Sequence, residues 1–207
     1  MVEFLIKKRE NTDWDKIDCL ILVLMSHGQG SAICGSDGSD VDINNLIHIF
    51  SSENCPGLDE KPRLVFVQAC RKGQSKGIDI SMSEMELKNE VDQSDSVPST
   101  EPCQLPQIEM KHPSADFLVA YATPEGTESY RNTQTGSWFI NAVVWTLKYH
   151  ALNEEIHHLL IRVNRIVARG KTDPRFKPIY TVSEVKSNLR KKFYFFPGVH
   201  GDQPELF

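Results

Sequence analysis

Asp18-Cys19-Leu20-Ile21-Leu22-Val23-Leu24-Met25-Ser26 contains the longest apolar run of the chain, the seven residues Cys19–Met25, and leads directly into His27-Gly28-Gln29-Gly30. A near-continuous run of this kind predicts a central strand of a parallel sheet, covered on both faces. Arg63–Ala69 (RLVFVQA) is a second such run and ends at Cys70, and Asp116–Ala122 (DFLVAYA) is a third. Between the first two, Ala32-Ile33-Cys34-Gly35 and Val41 bracket the turn residues Ser36-Asp37-Gly38-Ser39, which predicts a hairpin. Asp42 is placed to cap a helix with Ile43, Leu46, Ile47 and Phe50 on one face. Ser137–Tyr149 and Asn153–Ala168 have helical periodicity, with His157 and His158 read as partly exposed side chains of the second helix and not as metal ligands. Pro178–Val182 and Phe193–Phe196 read as short closing strands around a Glu184–Arg190 helix. Strand alternating with helix implies an α/β fold, a three-layer sandwich with a mostly parallel central sheet.

Composition narrows the classes. The 207 residues are 40% hydrophobic, enough for a real core, which excludes a wholly disordered chain. Seven apolar residues fall far short of a membrane span, and Met1–Lys8 does not build an export signal, so no membrane partner is expected. The five cysteines form no C-x-x-C pair, which argues against a disulfide scaffold or zinc finger and fits a reducing, cytoplasmic location. Cys19 and Cys34 read as core positions. A net charge of −5 gives no support to nucleic-acid binding. No phosphate-binding glycine loop, dinucleotide fingerprint, zinc-protease helix or serine elbow occurs, and no cofactor or metal is expected.

The charge is local. Residues 73–112 hold eight acids against three lysines, which accounts for the whole net charge of −5. The same stretch carries Pro98, Pro102 and Pro106 and no aromatic residue. Such a segment buries too little apolar surface to offset its ordering entropy, so it reads as a mobile acidic linker between segments 1–72 and 113–207.

In an open α/β sheet, sites form beyond the carboxyl ends of the strands. His27 and Cys70 both fall there. A thiolate is the nucleophilic form of cysteine, and an imidazole across a cleft can take the thiol proton and return it to a leaving amine. Gly28 and Gly30 permit close approach of backbone, and the N–H groups of Gly28 and Cys70 are candidate oxyanion donors.

At these residues the sequence resembles the caspases. Gln68-Ala69-Cys70-Arg71 matches the family's signature, which expects a histidine about fifty residues upstream; His27 precedes Cys70 by 43. The likeness continues through Ser26-His27-Gly28, Asn54-Cys55-Pro56, Lys61-Pro62 and Tyr121-Ala122-Thr123. It then takes in Ser129-Tyr130-Arg131-Asn132, Gly136-Ser137-Trp138-Phe139-Ile140 and Val163-Asn164, so it spans about Asp18 to Pro197.

The resemblance implies a caspase-like fold and a cysteine endopeptidase that cuts proteins after aspartate, in apoptosis or inflammation. Cys70 is then the nucleophile, His27 the general acid/base and Gly28 part of the catalytic backbone. Gln68 and Arg131 line the pocket for the substrate aspartate, and Ser129 and Tyr130 border the neighbouring backbone and side-chain subsites. It also implies linker cleavage after Asp92 or Asp95 between large-subunit and small-subunit portions, and a homodimer or heterodimer through the C-terminal strand Phe193–Phe196. The short connection Arg169–Lys177 resembles initiator-type members.

Two departures accompany the likeness. Lys72 stands where the family motif usually has glycine, and the family's first strand and following helix, with a pocket arginine, have no counterpart in Met1–Lys16. The second reading is therefore a catalytically impaired caspase-like protein that dimerises with an active caspase and regulates it. A relative cutting after arginine or lysine needs an acidic pocket and conflicts with Arg131.

Overall fold

The computed structural model describes residues 1–73, 112, 114–132, 136–170 and 180–196. The linker residues Asp92 and Asp95, residues 171–179 and Pro197 lie outside them. In chain order the strands are β1 (Leu20–Met25), β2 (Gly28–Gln29), β3 (Ala32–Cys34), β4 (Asp40–Asp42), β5 (Arg63–Gln68), β6 (Phe117–Tyr121), β7 (Arg131–Asn132), β8 (Gly136–Ser137) and β9 (Glu184–Ser187). The helices are α1 (Val2–Glu10), α2 (Ile43–His48), α3 (Trp138–His150) and α4 (Ile156–Ala168).

The main sheet runs β1-β5-β6-β9, with β1, β5 and β6 parallel and β9 antiparallel to β6. Because neighbouring side chains on a strand point to opposite faces, β5 and β6 supply two cores at once. Val65, Val67, Phe117 and Val119 face the layer that holds Leu5 of α1 and Ile43 and Leu46 of α2. Leu64, Phe66, Leu118 and Ala120 face Phe139 and Val143 of α3 and Leu159 and Val163 of α4. The expected α/β sandwich with a mostly parallel central sheet is the observed one, the antiparallel β9 making the sheet mixed. Its capping chemistry is also as expected: Asp42 accepts from Asn44 N at 2.7 Å to start α2, and Ser137 accepts from Ile140 N at 3.2 Å to start α3.

The strand at Asp18–Ser26 is parallel but is not covered on both faces. β1 ends the sheet among the described residues, pairing with β5 alone. Leu24 is buried, whereas Ile21, Val23 and Met25 are 45%, 49% and 62% exposed. Those three share the face of Leu64 and Phe66 in register, so the α3–α4 layer stops short of them.

The C-terminal expectations are corrected too. Glu184–Ser187 is a strand, not the start of a helix, because the open edge of β6 offers it a ladder from Tyr121 to Leu118. Phe193–Phe196 is not a strand: Phe193 and Phe195 turn inward onto the α3–α4 core, 5.1 Å apart edge to face, and Phe193 O accepts from Ile156 N. Tyr180–Val182, the described part of the other proposed strand, has no regular structure. Cys19 and Cys34 are only half-buried, and Cys55 is the buried thiol. His157 is partly exposed, as expected, and bridges Glu155 to Ser187 of β9, with 2.9 Å from Nε2 to Oγ.

Two arginines hold the far end of the sheet. Arg63 is fully buried at the start of β5, donating to Phe50 O (3.0 Å) and Ala115 O (2.8 Å) and lying over the Phe117 ring. Burial pulls its pKa down, against the opposing pull of Asp116. Asp116 has φ +60° and receives a forked pair of bonds from Arg190, 3.1 and 2.6 Å at the closest contacts. Burial pushes the Asp116 carboxyl up, but the Arg190 bonds and charge outweigh it and hold the pKa below the ordinary range. A depressed folded-state pKa contributes stability above the ordinary aspartate pKa, and that stability is lost as pH falls through the folded value. Asp116→Asn, which tolerates the same left-handed backbone, is therefore expected to destabilise at neutral pH and to flatten the acid limb. Urea melts across pH read this; an unchanged acid limb refutes it.

Candidate active site

The register of β1 against β5 builds the site. Met25 pairs with Gln68, so the two parallel strands end in step. His27 and Cys70 each lie two residues beyond that last pair, which brings them to the same end of the sheet. Ser26 N donates to Gln68 O at 3.2 Å and extends the alignment by one residue. Between them opens a cleft of about 310 Å³ lined by Met25, Ser26, His27, Gln68, Cys70, Ser129 and Arg131.

The backbone carrying His27 is fixed from the hairpin side. Cys34 N donates to His27 O at 2.8 Å, and Ser26 Oγ donates to Cys34 O at 2.7 Å. Gly28 is required by contact: a Cβ there lies 2.6 Å from Ala32 O, 2.8 Å from Ala69 Cβ and 2.9 Å from Cys70 O. Its missing side chain lets the hairpin pass directly against the segment bearing Cys70. Gly30 answers a different need, a turn at φ +58°.

The Cys70 thiol is half-buried, with Sγ 3.7 Å from Ser129 O and 3.6 Å from Ser129 Oγ. The His27 imidazole is exposed to the same cleft and makes no hydrogen bond among the described residues. Gln68 is held on both sides of its amide. Its Nε2 donates to Ser129 Oγ at 3.0 Å, and its Oε1 accepts from Ser137 Oγ at the cap of α3. Arg131 pairs with Ser137 in the β7–β8 ladder, which places it at the rim, where its exposed guanidinium has no ion-pair partner among the described residues. Tyr130, between the cleft residues Ser129 and Arg131, packs against Trp138, with ring centroids 6.0 Å apart.

Sequence reasoning missed Arg71. Next to Cys70, it is 3% exposed and lies over the Tyr121 ring, 4.1 Å from its centroid. It pairs with Glu184 of β9 and, at 3.4 Å, with Glu125. Its backbone exchanges bonds with the 124–130 loop, N to Thr127 O (3.0 Å) and O from Gly126 N (2.9 Å). The only local signal was a cation directly after a buried strand. Lys72 is the opposite: exposed, paired with Glu128 at 2.9 Å, and not among the described residues with positive φ, so its side chain stands without backbone strain where glycine was expected.

Arranged in this way, the cleft offers a thiol, an imidazole and an unpaired guanidinium within one small volume. A caspase-domain family model matches residues 2–194. Cell death protein 3 of Caenorhabditis remanei is 36% identical over 202 residues, covering 87% of this chain and 38% of the relative. Caspase-3 of Bos taurus is 35% identical over 187 residues, covering 88% of this chain and 62% of its own. Caspase-2 of Gallus gallus is 29% identical over 194 residues, 90% of this chain and 44% of that protein. The chain thus spans from under two-fifths to about three-fifths of the length of these curated relatives.

Proposed function

The chain belongs to the caspase-domain family of peptidases, and from that premise we propose that it forms the catalytic portion of a cysteine endopeptidase cutting proteins after aspartate. The observation that carries this is the in-step ending of β1 and β5, which sets His27 and Cys70 around one cleft with Arg131 at its rim. His27 takes the thiol proton, the Cys70 thiolate adds to the scissile carbonyl carbon, and His27 then protonates the departing amine. Water hydrolyses the thioester and restores the thiol. The N–H groups of Gly28 and Cys70 are the donors offered to the oxyanion. Arg131 pairs with the substrate aspartate, and Gln68, locked by Ser129 and Ser137, supplies an amide beside it.

The same reading makes residues 73–112 the segment cut on activation, after Asp92 or Asp95, between portions 1–72 and 113–207. It makes the pairing edge of a dimer β9, the last strand of the sheet, in place of Phe193–Phe196. Cell death is the process that the name of one relative carries, and the cytoplasm is the expected compartment.

A second reading rests on one observation. Met25 lines the cleft beside His27 and is 62% exposed, and Ile21 and Val23 leave the same face of β1 uncovered further back along the strand. This favours a caspase-like regulator that completes itself against an active relative.

Aspartyl, glutamyl and asparaginyl peptides offered to the chain and to its Arg131→Ala form separate the readings. Aspartyl peptides are expected to be cut best, and Arg131→Ala to lower that rate by roughly 1.5–3 kcal/mol, one to two decades. Equal cutting of aspartyl and asparaginyl peptides removes the substrate assignment. A chain inert on all three that binds an active caspase establishes the regulator.

A further inference from the structure

The two helices on the outer side of the sheet carry a charge pattern unlike the rest of the molecule. α3 and α4 contain Lys148, Arg162 and Arg165 and not one acidic residue, in a chain of net charge −5. They also expose large apolar side chains: Val144 (58%), Trp145 (48%), Tyr149 (58%) and Ile161 (65%). Trp145, Tyr149 and Ile161 belong to one strip. It starts at a groove of about 310 Å³ between the helices, lined by Trp138, Asn141, Ala142, Trp145, Ile166 and Gly170. Trp145 then stands 5.2 Å from Tyr149 and 5.4 Å from His150, ring to ring. His150 lies 3.6 Å from Glu154, which opens a second depression of about 370 Å³ with His158, Ile161, Arg162 and Arg165.

Glu154 neutralises Arg162 through two bonds of 2.6 Å, and Lys148, Arg165 and Arg169, just past the helix, have no ion-pair partner among the described residues. Exposed tryptophan, tyrosine and arginine beside an apolar groove are the composition of binding hot spots. Their sign selects the partner. We propose that the α3–α4 outer face is a docking surface for an acidic amphipathic segment of a partner protein, its apolar side chains entering the Trp138–Gly170 groove and packing on Trp145 and Ile161, and its carboxylates facing Lys148, Arg165 and Arg169. The strip begins beside the cleft, since Trp138 packs on Tyr130. Docking itself does not depend on the chemistry of Cys70.

The test uses a fluorescein-labelled helical peptide of glutamate and leucine, free of aspartate, and its lysine–leucine counterpart, with binding read by anisotropy. The acidic peptide is expected to bind and to weaken as salt rises. Trp145→Ala and the Lys148→Glu/Arg165→Glu pair are each expected to raise its Kd about tenfold or more. The charge-reversed pair should also gain affinity for the lysine peptide. All four side chains altered or faced are exposed, and unchanged thermal melting of the variants checks their fold. Absence of binding by the acidic peptide, equal binding of both peptides, or variants that bind like the parent each overturn the proposal. Loss of all peptidase activity with docking intact refutes only the protease reading.

Discussion

Cys70→Ala is expected to leave no measurable cleavage of an aspartyl peptide and no processing of the chain itself. Removing the nucleophile of a cooperating catalytic set costs on the order of 10⁴–10⁶ in rate, because the remaining members have nothing to activate. The substitution is mild for the fold. The side chain is half-buried, its contacts to Ser129 are long sulfur contacts of 3.6–3.7 Å, and alanine removes one atom without adding volume. Mass spectrometry of the parent after activation should show new N-termini at Ser96 or Gln93, and the variant should show neither. A Cys70→Ala protein that still cuts aspartyl peptides sinks the assignment, whereas termini elsewhere in the parent refute only the choice of Asp92 and Asp95. His27→Ala is expected to leave a trace at most.

The largest effect on stability is expected at a residue that touches no substrate. Arg71 is buried with its charge, and Glu184 is its chief counter-ion, accepting from Nη1 while the ring of Tyr121 faces the guanidinium. Breaking a buried pair leaves one charge uncompensated and costs at least about 3 kcal/mol. For a domain of this size that lowers Tm by roughly 6–12 °C. Glu184→Gln keeps the shape and removes the charge, so a thermal melt reads the electrostatic loss. Glu125, the second partner, has a side chain 70% exposed. Its glutamine variant is expected to shift stability by about 1 kcal/mol or less. If the two variants melt alike, Arg71 is not held as described. Activity should fall with Glu184→Gln as well, since the Arg71 backbone fastens the segment after Cys70 to Thr127 and Gly126.

These residues also mark where local sequence stops being informative. β5, β6, the β3–β4 hairpin, α2, α3 and α4 were legible because a period of two or 3.6, a turn cluster or a capping side chain lies within each segment. His27 and Cys70 were legible because apolar runs end just before them. Glu-Val-Lys-Ser at 184–187 has no such signature. It is a strand only because β6 presents an unpaired edge to it. Likewise nothing local says that Arg71 is buried, or what satisfies the charge of Arg63 at the start of its buried strand. Their partners, Phe50 and Ala115 for one and Glu184 for the other, come from distant segments. The exposure of Ile21, Val23 and Met25 was hidden for the same reason, since an apolar run does not report how far a helix layer reaches. α1 and the tilt of Tyr130 toward Trp138 were missed altogether.

The shared ending of β1 and β5 makes the gene unequally sensitive to two kinds of lesion. A substitution within Leu20–Met25 changes one side chain and leaves the pairing with Arg63–Gln68 intact. Deletion of a single codon there is a different event. It turns every following side chain over, sending Leu24 outward and Met25 into the space of the core, and draws His27 back by about 3.3 Å. The imidazole then sits on the wrong side of its neighbour and one residue short of the cleft. The register of this strand, more than the identity of any one residue in it, is what sets His27 at the cleft.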